Sequence, residues 1–366
     1  MTSRERVRAA LDKQPVDRVP IFMWFHPQTT RKLAAMLEIP SSRVAEAMGN
    51  DVRQTWVNNN YAMEGIVHDA DGERHEDWWG IRWVKQYGFN QIEHFPLAGA
   101  TREQVLAYHF PMERFEEMEG LMLPIVRERG DYWIGCDVSP NVFEMYWRLR
   151  GMEDAMLDIG GDPELADTML GRCADFAIAL GEAACQRYPL DWYWTGDDVS
   201  GQQGMMFSPR SWRALVKPHL ARSFAPGIER GLPVAYHCCG ALRPIIGDLI
   251  EIGMDVLNPV QANCPGMDAL ELKREFGSHI AFMGGVDTQY LLPNATPDEV
   301  RRATRQLVEG MTADGGGYIL AASHTISPET PDENIFAMYE AVGMTRQEIF
   351  DRAASIRATG RGCVQA

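Results

Sequence analysis

Cysteine is sparse in this chain: there are seven in 366 residues, an odd count without regular spacing. That argues against a disulfide framework and for a reducing compartment, with the cytoplasm as the expected location. Long apolar runs are missing. No stretch reaches the roughly 18 apolar residues that mark a membrane span, and the opening MTSRERVRAALDK lacks a signal-peptide core, so no membrane association is expected. Basic runs are absent as well. The 35 Lys and Arg face 51 Asp and Glu, for a net charge of -16. This excludes a non-specific grip on nucleic-acid phosphates. Neither G-x-G-x-x-G nor G-x-x-x-x-G-K occurs, which disfavours a Rossmann or P-loop nucleotide site. No internal repeat or low-complexity tract is visible.

What is present is a core-forming composition, 45% hydrophobic, in a chain long enough for one large barrel. Short apolar runs alternate with longer amphipathic stretches, the pattern of α/β chains. Strands are expected at VPIFMWF (19–25), DYWIGCDV (131–138), DWYWTGDD (191–198), PVAYHCC (233–239), DVLNPV (255–260), HIAFMGG (279–285) and GYILAAS (317–323), with an eighth near 51–57. Helical segments lie between the later runs. Ser208-Pro209 and Thr296-Pro297 each place a capping hydroxyl before an N1 proline, and Glu299 completes a capping box with Thr296. Eight strand–helix units in this length predict a single (β/α)8 TIM barrel over 1–366 with an N-terminal extension. Residues 61–130 are expected to be an inserted lid, with DWWGIRWVKQYG (77–88) as a hairpin followed by helices.

Catalytic residues of such a barrel belong at the C-terminal ends of its strands. His237 and Cys239 in YHCCG, the pair Asp197 and Asp198, Asp287, and His324 after YILAAS all fall there. If strand geometry persists through YHCC, His237 and Cys239 point one way and Cys238 the other. Two histidines and one thiolate are a ligand set for catalytic zinc, which keeps a fourth position open. His237, Cys239 and His324 are therefore the candidate metal ligands, with Cys264 an alternative to His324. A buried histidine beside ordinary thiols is the competing interpretation. Asp197 or Asp198 could orient a ligating histidine, or cap a following segment. Asp287 could hold a substrate group or cap the segment into LLPNATPDE. His26, after the first strand, is a further catalytic candidate. Asn258, Gln261 and Gln289 offer neutral hydrogen bonds near the same rim.

Several ordered stretches resemble the uroporphyrinogen decarboxylase superfamily along nearly the whole chain. They are PVDRVPIF, GDDVSGQQGMMFSPRSWRALVKPHL, HCCGALRPIIGDLIEIGMDVLNPVQ, FGSHIAFMGGVDTQ and GGGYILAASHTISPETPDENI. The resemblance implies a barrel, and either a porphyrinogen decarboxylase or a zinc methyltransferase of a methyl-corrinoid pathway. True decarboxylases carry an M-R-Q-A-G-R segment near the N-terminus. Here the corresponding neighbourhood reads IFMWFHPQTT, which counts against porphyrinogen decarboxylation. In the methyltransferase branch a His-x-Cys pair and a later cysteine bind zinc. His237 and Cys239 match the pair, and His324 stands at the later position. The expectation is a zinc methyltransferase acting on a small thiol or methylated substrate. Its corrinoid would be carried by a partner protein, since no D-x-H-x-x-G signature occurs here. The alternatives are a decarboxylase or lyase acting on a small unsaturated or aromatic acid, in which His26, Asp197 and His324 handle protons, and a non-catalytic binding barrel.

Overall fold

The computed structural model describes residues 1–58 and 70–359. His68 and Cys363 lie outside the described residues. The fold is α/β, and seven strands belong to its principal sheet. They are β1 (Val52–Trp56), β2 (Trp133–Asp137), β3 (Trp192–Gly196), β4 (Val234–His237), β5 (Val256–Val260), β6 (Ala281–Val286) and β7 (Tyr318–Ala322). All seven lie within two residues of the runs expected from the apolar pattern. The chain divides into two compact units. The first holds Met1–Arg53, Gly130–Trp133 and the chain from Leu257 on; the second holds Gln54–Arg129 and Ile134–Val256. Among the described residues no helix is long and apolar enough to cross a membrane.

In the first unit, β6 and β7 pair in parallel from Phe282↔Tyr318 to Val286↔Ala322. The expected strand VPIFMWF does not become a regular eighth strand. It contributes two isolated parallel bridges, Ile21↔Leu320 and Phe25↔Ile326, so the eight-stranded barrel expectation is corrected to seven strands plus an extended segment. One reason is local and the other distant. Pro20 has no N–H to give, and polar side chains replace a strand neighbour farther along. Asp51 Oδ2 accepts from Ile21 N at 2.8 Å, Asn50 Oδ1 from Met23 N at 3.3 Å, and Asn50 Nδ2 donates to Met23 O at 2.9 Å.

Asp51 is fully buried, which is tolerable only because it is paired. The Arg6 and Arg18 guanidinium groups each approach it at 2.7 Å, and Ser3 Oγ donates to it at 2.8 Å. Beyond the sheet, the helix Pro297–Thr312 opens with the expected capping box of Thr296 and Glu299.

In the second unit β2, β3 and β4 pair in parallel, with Gly135↔Trp192 and Gly196↔His237 marking the two ends of the run. Trp192 and Trp194 share one face of β3, ring centroids 5.2 Å apart, and both are fully buried. They are core. Ser208 caps the helix Pro209–Leu215 as expected, and a second helix, Lys217–Ile228, follows directly. Helices Val142–Arg150 and Pro163–Arg187 pack with them.

The described part of the expected lid holds three antiparallel strands, Arg74–Glu76, Arg82–Gln86 and Phe89–His94, and then short helices between 102 and 127. The segment DWWGIRWVKQYG holds one hairpin turn within it, between Glu76 and Arg82, and a second at its end, Tyr87-Gly88. Both residues take positive φ there, as a tight hairpin turn requires. The Asp71 carboxylate accepts both of their N–H groups. At the other end Asp77 accepts from Trp83 Nε1 at 2.8 Å, Trp79 N at 2.9 Å and Ile81 N at 3.0 Å. Burial nevertheless outweighs these donors and pushes the Asp77 carboxyl up to about 6.

Asp51→Ala leaves two guanidinium groups without their shared anion, so urea unfolding is expected to show a loss on the order of 3–5 kcal/mol. Asp77 binds its proton more tightly folded than unfolded. Its stabilising contribution is full below about pH 4 and is lost as pH rises through about 6. Asp77→Asn is therefore expected to flatten the stability–pH curve between these limits, by at most roughly 3 kcal/mol; unfolding series at several pH values check it.

Candidate metal centre

The strand β4 ends at His237, two residues before Cys239, so strict alternation does not set the direction of the cysteine. A turn does. Gly240 has φ +91°, and a Cβ there would lie 2.4 Å from the Gly201 carbonyl oxygen, which also accepts from Ala241 N at 2.9 Å. Only glycine fits so close a backbone approach in that conformation. The outcome matches the expectation by a different route. Cys239 Sγ lies 3.3 Å from His237 Nε2, while Cys238 turns away into the core. Cys238 Sγ sits 3.4 Å from Ser200 Oγ, and burial pushes its thiol well above the ordinary range. It is held as a neutral thiol. Gly196, beside His237 in the sheet register, makes room as well: a Cβ there would come within 3.0 Å of the His237 Cβ.

The two aspartates after β3 do different work. Asp197 is fully buried, and its Oδ1 accepts from Glu144 N at 2.6 Å. It thereby caps the helix Val142–Arg150, whose own N-cap residue Asn141 makes no side-chain capping bond. Asp197 Oδ2 has no hydrogen-bond partner, and burial drives the carboxyl well above the usual carboxylate range. The backbone N–H of Asp197 donates to His237 O at 3.0 Å. Asp198 is half-buried and faces the metal candidates. Its Oδ1 accepts from Cys239 N at 2.8 Å. Burial raises its carboxyl to about 6, with nearby Glu144 adding to the rise and His237 opposing it.

One donor atom each from Asp198, His237 and Cys239 lies within 4.8 Å of the other two. Tetrahedral zinc with ordinary Zn–N and Zn–S bonds places those two ligand atoms about 3.6 Å apart. The observed 3.3 Å is compatible with a shared ion. An imidazole nitrogen, a thiolate and a carboxylate oxygen are also the donor types zinc takes. The residues present therefore fit the group, and Asp198 joins the ligand candidates.

The other expected site residues belong to the first unit. His324 stands two residues beyond the end of β7 and is half-buried. Asn258 and Gln261, both buried, lie in β5 and just after it, and Gln261 O accepts from Cys264 N at 2.9 Å. Cys264 is buried, which raises its thiol. Asp287 takes a capping geometry: Oδ1 accepts from Gln289 N at 2.7 Å and Oδ2 from Leu291 N at 3.3 Å. Gln289 is exposed and accepts from Asn263 Nδ2 at 2.6 Å. His26 is buried and caps the helix Pro27–Leu37, its Nδ1 accepting from Gln28 N at 3.2 Å.

Sequence reasoning missed Glu144, Arg148 and Ser200. Glu144 and Arg148 form a buried ion pair on the helix Val142–Arg150. Ser200 Oγ donates to Cys239 O. The available signal was a Glu–Arg pair at i, i+4 inside the otherwise apolar and aromatic run VFEMYWRL.

Three comparisons bear on this arrangement. The chain is similar to the uroporphyrinogen decarboxylase of Thermus thermophilus, 31% identical over 140 residues, which are 37% of each protein. It is similar to the methylated-thiol–coenzyme M methyltransferase of Methanosarcina mazei, 24% identical over 60% of this chain and 56% of that one. It thus spans little more than a third, and little more than half, of these two relatives. A longer alignment joins it to the methylcobamide:CoM methyltransferase MtaA of Methanosarcina barkeri, 21% identical over 93% of this chain and 97% of the relative. In fold it matches a solved methyltransferase from Methanosarcina mazei, with a TM-score of 0.67 and 19% identity over 94% of this chain and 98% of the other. The family description "Uroporphyrinogen decarboxylase (URO-D)" matches residues 135–344, more than half of the chain and every element of the Asp198–His237–Cys239 cluster, and the chain belongs to that family.

Proposed function

We propose that this protein is a zinc-dependent methyltransferase that moves a methyl group between a small thiol or methylated substrate and the corrinoid of a partner protein. The observation that carries the proposal is the meeting of His237 Nε2 and Cys239 Sγ at 3.3 Å beside the Asp198 carboxylate. Relatives named as methyl transferases to coenzyme M support the reaction class, one of them along nearly the whole chain. In this proposal His237, Cys239 and His324 hold the ion, with Asp198 beside them. Bound zinc would supply Lewis acidity, keeping a thiol substrate as its thiolate near neutral pH or drawing charge from the heteroatom of a methylated one.

The chain's own residues do the positioning. Asp198 fixes the Cys239 backbone through its amide. Asp197 anchors the His237 carbonyl and ties that anchor to a helix terminus. The reaction needs no change of valence at the ion, which suits zinc. The cytoplasm is the proposed location. A second proposal, decarboxylation or lyase chemistry on a small unsaturated or aromatic acid, draws on the 31% identity to the Thermus decarboxylase. It requires turnover by the isolated chain.

Metal analysis of freshly purified protein is expected to find one zinc per chain. His237→Ala, Cys239→Ala and His324→Ala are each expected to lower zinc affinity at least tenfold, with circular dichroism unchanged. Full zinc retention in all three rejects the metal centre. Incubation with a methylated corrinoid protein and a panel of small thiols is expected to demethylate the corrinoid, and chelation of zinc to stop it. Carbon dioxide release by the isolated chain, with no corrinoid consumption, would favour the second proposal.

A further inference from the structure

The Asp197-Asp198 segment is tied to the helix Val142–Arg150 in both directions. The Glu144 N–H donates to the Asp197 carboxylate at 2.6 Å, and the Asp198 N–H donates back to Glu144 Oε2 at 3.2 Å. The remaining Glu144 oxygen, Oε1, takes the Arg148 guanidinium. This reciprocal exchange is the arrangement of a capping box, assembled from residues more than fifty positions apart. It continues to the cluster without a gap, because Asp198 Oδ1 accepts the Cys239 N–H and the Asp197 N–H donates to the His237 carbonyl.

Glu144 and Arg148 are 7% and 8% exposed. A buried ion pair is weak evidence for stability, since apolar residues of similar size commonly do as well or better. Its placement is better explained by what it holds. We propose that Glu144, clamped by Arg148, is a positioning residue for the metal centre: it sets the Asp198 backbone, and through Asp198 the separation of His237 and Cys239. The inference rests on the metal-centre proposal and adds to it a support outside the ligand set. Groups of this kind typically change metal affinity 10- to 100-fold when removed.

Cobalt(II) titration of the full chain tests it, read by the thiolate-to-cobalt charge-transfer band and by competition with a chelator. Glu144→Asp keeps the charge and a partner for Arg148 but draws the oxygen back from the Asp198 N–H. It is expected to weaken cobalt binding about tenfold and to shift the band. Glu144→Gln keeps the reach and one oxygen acceptor for the Asp198 N–H, but its NH2 replaces the oxygen that holds Arg148; it is expected to bind more tightly than Glu144→Asp, with a smaller shift of the band. Thermal melts of both variants establish that they are folded. Natural affinity and an unmoved band in Glu144→Asp overturn the proposal. So does a Glu144→Gln variant as impaired as Glu144→Asp, which would assign the effect to charge rather than position. His237→Ala serves as the control. If it too binds cobalt like the natural chain, the metal centre itself fails; if it alone loses the ion, only the positioning role fails.

Discussion

The 3.3 Å separation of His237 Nε2 and Cys239 Sγ is the constraint on which the proposed chemistry depends. Two side chains two residues apart do not meet by default once a strand has ended. They meet here because the backbone on either side of Cys239 is pinned. Asp198 accepts its N–H, Ser200 donates to its carbonyl, and the chain then bends at Gly240 against the Gly201 carbonyl. Every partner in that list comes from the segment following β3. The loop after one strand is thus the template for the loop after its neighbour, and parallel pairing of β3 with β4 delivers both loops to the same edge. The same logic in the first unit sets Gln261, Asp287 and His324 just beyond the C-terminal ends of β5, β6 and β7.

The apolar runs revealed the sheet well, because strands buried on both faces read as continuous hydrophobic stretches. The 19–25 segment has the same composition yet stays irregular. Its backbone groups are taken by the side chains of Asn50 and Asp51, a long-range polar contact that no local pattern displays. The 77–88 segment shows a similar limit: alternating aromatic and charged residues marked one hairpin, whereas its strand pairs with a neighbour on each side, across a turn at 77–81 and another at Tyr87-Gly88.

At the site, the residues proposed as ligands were visible in the sequence and their supports were not. His237 and Cys239 stood out because they fall at a strand end, with His324 at the end of another, although a histidine beside ordinary thiols is common in a core. Asp198 was visible as half of a costly acidic pair, but which aspartate faces the cluster depends on the path of the chain after β3. Asp287 and His26 are residue types that serve equally as helix caps, and capping bonds are what their side chains make. Glu144 left only a faint trace, an i, i+4 partner in Arg148 within an apolar run, because a glutamate in a helix is ordinary. Only burial, and a partner from a distant segment, distinguish it.

The distribution of charge around the cluster gives the strongest physical reason for a divalent ion. Glu144 is balanced by Arg148. Asp197 is fully buried with one oxygen lacking a hydrogen-bond partner, and burial drives its carboxyl well above the usual carboxylate range. Asp198 is then the carboxylate left to face the pair, and near neutral pH it is largely ionised. A ligating cysteine is deprotonated and a ligating histidine is neutral. Cys239 and Asp198 together would present two negative charges at one point, a repulsive arrangement in a partly buried place. A cation of charge two cancels them, and the neutral imidazole leaves the balance unchanged. A monovalent ion would leave one charge uncompensated, so the proposed ligand set favours a divalent ion by charge as well as by the affinities of nitrogen and sulfur.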